Sequence, residues 1–116
     1  MNARLVSPRF PYIPLRLEIG GVVVTIEALL DTGFDGDILA PSDVLQSVAP
    51  EGEYPWTLAD RSTVFAPYAF GVVQLPGVGS YDAMVTFLGD EYLVGLGIVR
   101  QLLIALDHGQ RVIVEP

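Results

Sequence analysis

The chain contains no cysteine, which removes thiol nucleophiles, disulfides and Cys-ligated zinc or iron–sulfur centres. Lysine is absent as well, because all six basic residues are Arg. Schiff-base chemistry and a P-loop lysine are therefore excluded. A single histidine, His108, leaves no histidine pair for a metal. Positive charge is scarce overall. Against six Arg stand 14 acidic residues, and the net charge of −8 disfavours phosphate backbones, whose binding depends on Lys and Arg. No nucleic-acid partner is expected. Apolar stretches such as Tyr92–Val99 fall well short of the roughly 18 residues that a membrane helix needs. Pro8, Pro11 and Pro14 interrupt the beginning, where a signal peptide would carry its apolar segment. The expectation is a cytoplasmic protein with no membrane partner.

Core material, by contrast, is plentiful. Hydrophobic residues make up 51% of the chain and charged ones 17%, a balance that favours a packed core over disorder. The length, 116 residues, suits one domain. Residues 1–14 are proline-rich and read as an irregular N-terminal arm, with the domain proper at 15–116. Leu15, Leu17 and Ile19 alternate with Arg16 and Glu18, the period-2 pattern of a half-buried strand. Gly20-Gly21 makes a turn. Val22, Val24, Ile26, Ala28 and Leu30 then share one face of a second strand and complete a hairpin. Pro41–Val48 predicts a short helix with Ser42 as its N-cap. The stretch from Tyr54 to Leu88 is β-rich, Leu96–Leu102 predicts another short helix, and a hairpin turning at Asp107-His108-Gly109 ends the chain. The sum is a mostly β fold with one or two short helices, and its even strand spacing points to a closed, barrel-like sheet.

With thiol, amine and metal chemistry removed, carboxylates, hydroxyls and amides remain. The informative segment is Ala28-Leu29-Leu30-Asp31-Thr32-Gly33-Phe34-Asp35-Gly36. An apolar strand delivers one acid into a turn containing a hydroxyl and a glycine. A carboxylate there is costly unless donors reach it, and the Gly33 and Asp35 amides and the Thr32 hydroxyl are the candidates. Read alone, the triplet is an ordinary Asx-type turn. Asp31, Asp35 and Asp37 alternate as calcium ligands do, but no Glu completes an EF-hand loop, so no metal is expected. His108 reads as part of a solvated turn, and Tyr54 and Trp56 read as core or rim residues.

The segment resembles the active-site loop of aspartic proteases, in which two hydrophobic residues precede Asp-Thr-Gly. A second landmark, Tyr92-Leu93-Val94-Gly95 before a short helix, is similar to the apolar pair, glycine and helix of retropepsin-like proteases. The order of elements resembles that family along most of the chain, and the Asp-Thr-Gly-Phe-Asp-Gly loop resembles its short prokaryotic, clan AA type. The resemblance implies a closed, barrel-like retropepsin (acid protease) fold with one lobe per chain. It implies an aspartic endopeptidase with Asp31, Thr32 and Gly33 as catalytic residues: Asp31 as the acid, Thr32 locking two facing loops, and the Gly33 carbonyl meeting substrate. Phe34, Asp35 and a flap tip at Ala59, Asp60, Arg61 and Ser62 would bind a peptide or protein substrate, without a cofactor. One lobe supplies one carboxylate where two are needed, so a two-fold homodimer is implied. A catalytically silent dimer that binds peptides is the competing expectation. Where retroviral members carry Arg after the helix-starting glycine, this chain has Leu96 and Gly97. Arg100, one helical turn later, is the expected substitute partner for Asp35.

Overall fold

The computed structural model describes residues 3–116, and Met1 and Asn2 lie outside it. Leu5–Ser7 forms β1, Tyr12–Ile19 β2 and Val22–Leu30 β3. Half of the described residues of the expected irregular arm, Leu5–Ser7 and the start of β2 at Tyr12, Ile13 and Pro14, are thus strand. β1 pairs with a C-terminal strand, and β2 begins before Leu15 because Tyr12, Ile13 and Pro14 already pair with Leu29, Ala28 and Glu27. The buried Ser7 fixes this entry by donating its hydroxyl to the Tyr12 carbonyl at 2.6 Å. Unsatisfied, that hydroxyl would carry a desolvation cost.

Beyond β3 come β4 (Ile38–Ala40), β5 (Gly52–Thr57), β6 (Thr63–Leu75), β7 (Gly79–Phe87), β8 (Leu93–Val94), β9 (Leu103–Asp107) and β10 (Arg111–Glu115). The main sheet runs β2-β3-β8-β4-β7-β6-β5, and a further β2–β6 pairing closes six of these strands into a barrel. Closure needs close backbone approach, and Gly71 opposite Ile19 permits it. A Cβ there would stand 2.5 Å from the Glu18 carbonyl oxygen. β5 stays outside the ring, paired only with the first half of β6, and projects with it as a hairpin.

Inward-facing Ile13, Leu15, Leu17, Val73, Leu75, Val85 and Phe87 fill the barrel. Each such side chain contributes roughly 1.5–3 kcal/mol when fully buried. The second sheet, β1-β10-β9, joins the same core through Val112 and Val114. Both expected helices are shorter than their sequence patterns suggest. Ser42–Gln46 is a 3-10 turn whose N-cap position is Pro41, and the Ser42 hydroxyl reaches across to the Gly89 carbonyl instead of capping. The second is a single turn, α1 (Leu96–Val99), with Ile98 buried. Among the described residues no helix is long and apolar enough to cross a membrane.

Candidate active site

The apolar alternation of β3 ends at Leu30, and the chain turns at once. The Asp31 amide donates to the Val94 carbonyl at 3.0 Å, and the Phe34 amide donates back to the Asp31 carbonyl at 3.2 Å. Of the donors expected around the Asp31 carboxylate, the Gly33 amide makes the bond, to Oδ1 at 2.9 Å. That contact fixes the orientation of a half-buried carboxylate. β8 lies between β3 and β4, parallel to one and antiparallel to the other, so the loop linking those two strands must cross over the end of β8.

Helix α1 secures this crossing from behind. The first amides of a helix have no intrahelical acceptor. Here the Leu96 amide donates to the Phe34 carbonyl at 2.9 Å and the Gly97 amide to the Gly36 carbonyl at 3.1 Å, while the Gly95 amide reaches the Asp37 carbonyl at 2.8 Å. Such proximity leaves no room for side chains. A Cβ on Gly95 would collide with the Gly36 carbonyl oxygen and the Phe34 ring, and one on Gly97 would collide with the Asp37 carboxylate.

Asp37 is the residue that the sequence reading undervalued. Its Oδ2 accepts the Met84 amide of β7 at 2.9 Å while its other oxygen lies against Gly97, so one carboxylate ties loop, barrel and helix together. The signal was available as Asp37 opposite a second glycine, Gly97. The expected Arg100–Asp35 pair is not formed. Arg100 is exposed, and among the described residues neither it nor Asp35 has an ion-pair partner.

Asp31 opens onto a cavity of about 580 Å³ between its loop and the projecting β5–β6 hairpin. Gly33, Phe34 and Asp35 line one side, and β5 contributes Tyr54 and Trp56, with Leu58 and Ala59 beyond it. Leu39, Leu88 and Leu93 add aliphatic surface. Tyr54 and Trp56 are therefore cleft residues rather than simple core or rim. They stand two apart in a strand, on one face, and only the position of the hairpin puts that face over Asp31. The Trp56 ring packs 5.3 Å from Phe34, centroid to centroid, and its Nε1 is a buried donor without an acceptor among the described residues.

At the hairpin tip the Leu58 amide donates to the Ser62 carbonyl, and Arg61 takes a left-handed φ of 70°. Asp60 Oδ1 accepts both the amide and the hydroxyl of Ser62, which hold its carboxyl below the ordinary carboxylate range. Ala59 reaches the cavity, whereas Asp60, Arg61 and Ser62 form the exposed turn beyond it, and Thr32 is exposed beside Asp31.

No family model matches the chain, and no curated protein matches it. Solved structures do. The chain is similar to a retropepsin-like aspartic protease from Rickettsia conorii, with a TM-score of 0.59 and 14% identity over 98% of this chain and 91% of that one. It is also similar to the simian foamy virus protease, with a TM-score of 0.52 and 19% identity over 75% of this chain and 91% of the other. The closed six-stranded barrel, the helix-backed Asp31 loop and the projecting hairpin together give this chain the fold of the retropepsin-like aspartic proteases.

Proposed function

We propose that the chain is one half of a homodimeric aspartic endopeptidase, with Asp31 of each protomer meeting across a two-fold axis. The observation that carries this reading is Asp31 itself: a carboxylate oriented by the Gly33 amide, in a cleft beneath a projecting hairpin, on a barrel shared with aspartic proteases. Thr32, exposed next to it, is available to bridge to the partner loop.

The chemistry follows from two carboxylates about 3 Å apart, which cannot both be charged and so share one proton. The ionised one takes a proton from a bound water as the water oxygen bonds to the peptide carbonyl carbon. The protonated one gives its proton to the carbonyl oxygen. As the tetrahedral intermediate collapses and the C–N bond breaks, the carboxyl that took the water's proton gives it to the departing amine. The other carboxylate takes a proton from the diol, which restores the shared-proton pair. The Gly33 carbonyl and Asp35 would hold the substrate main chain, Phe34 would wall the cleft, and the hairpin from β5 to Ser62 would close over it and exclude water. No cofactor or metal enters these steps.

Incubation with a complex peptide mixture from acidic to neutral pH, with new termini identified by mass spectrometry, tests this directly. Cleavage is expected from the natural chain and none from Asp31→Asn, which preserves shape but cannot cycle the proton. Equal background from both proteins would replace the peptidase with a peptide-binding dimer of the same fold.

A further inference from the structure

Beside the Asp31 cleft lies a second, smaller cavity of about 190 Å³, and the two share Asp35, Tyr54, Trp56 and Thr86 as lining. A chain lying in the larger one therefore passes the mouth of the smaller. We propose that this side cavity is a cation subsite that takes the side chain of an Arg or Lys of the bound peptide. The inference rests on the peptidase reading for the origin of the peptide, but not for the recognition itself.

Three features select a cation. First, the cavity is lined by two acidic residues, Asp35 and Asp37, and among the described residues no basic one lines either cavity. Asp35 is exposed and has no ion-pair partner among the described residues. Asp37 is held in place by accepting the Met84 amide through Oδ2 at 2.9 Å. Second, the remaining wall is aromatic. The Tyr54 and Trp56 rings stand 5.1 Å apart at 50°, and ring faces attract guanidinium and ammonium groups. Third, Met84 adds an apolar surface for the methylene stem of a long basic side chain. A solvated acidic patch would have the charges without the concavity and the rings. With a net charge of −8, the chain as a whole also draws basic peptides toward it.

Trp56 is the single tryptophan and lines both cavities, so its fluorescence reports occupancy whether or not any bond is cut. Titration of the full chain with N-acetyl-arginine amide and with N-acetyl-citrulline amide, which is close in shape but uncharged, makes the comparison. The Arg probe should bind about tenfold more tightly, a gap of about 1.4 kcal/mol. That preference should fall toward unity in Asp35→Asn and in Tyr54→Leu, both at exposed positions, and should weaken at high salt. Equal binding of the two probes, no fluorescence response, or a preference unchanged in both variants would overturn the subsite. In the peptide-mixture experiment, Arg or Lys should recur at one fixed distance from the cleaved bond. Cleavage without that enrichment counts against the subsite and leaves the peptidase standing. Arg-selective fluorescence without any cleavage does the reverse.

Discussion

At the scale of single residues, the site is built on places where a side chain would not fit. A Cβ on Gly95 would run into the Gly36 carbonyl and the Phe34 ring, and one on Gly97 into the Asp37 carboxylate. Gly95→Ala should therefore destabilise the protein by about 1–3 kcal/mol, because rigid backbone rather than a movable side chain must give way. Gly33→Ala is the informative control. Its Cβ would stand 3.2 Å from Asp31 Oδ1, close enough to disturb the acid while leaving the α1 contact alone. Urea unfolding should show a large loss for the first variant and a smaller one for the second. Asp37→Ala removes the acceptor of the Met84 amide and should cost about 1–3 kcal/mol by leaving that donor unpaired.

Among the elements, the β5–β6 hairpin is the one that projects beyond the closed ring. Its strand pairing to the barrel runs through β6 alone, Trp56 adds a ring contact to Phe34, and its turn carries the bonds from Ser62 to Asp60. A carboxyl held below its ordinary value contributes its stabilisation above the unfolded value. That contribution is lost as pH falls through the lowered folded value. The turn should thus stay locked at neutral and mildly acidic pH and loosen only under stronger acid. Protection of the Ser62 amide, measured by NMR as its exchange rate relative to the intrinsic rate at each pH, should fall at that acid end in the natural chain. Asp60→Asn should flatten the dependence. The helical elements teach a different lesson. Ser42 carries a capping side chain, yet the Gly89 carbonyl captures its hydroxyl, a partner far along the sequence that no local pattern announces.

For the molecule as a whole, the peptidase reading requires two copies, and charge opposes their meeting. Each carries −8, so association should be weaker at low salt and stronger as ions screen the repulsion. Sedimentation equilibrium should show a concentration-dependent dimer whose dissociation constant falls as salt rises. A strict monomer at every concentration and salt level would leave Asp31 without its partner carboxylate.

The sequence by itself determined the mostly β character, the first hairpin and the single acid at the end of an apolar strand. These follow from period-2 alternation, from glycine turns and from the scarcity of any other reactive group, all of which are local or compositional. The turn between β5 and β6 falls at the residues where the resemblance implied a hairpin tip. What only the tertiary structure decided involves residues distant along the chain. The closing of the barrel at Gly71, the strand character of the N-terminal segment, the bracing of the loop by Asp37 and Gly97, and the turning of Tyr54 and Trp56 toward Asp31 each depend on two segments meeting in space. Alternation tells which residues share a face of a strand. Only the closed sheet tells what that face looks onto.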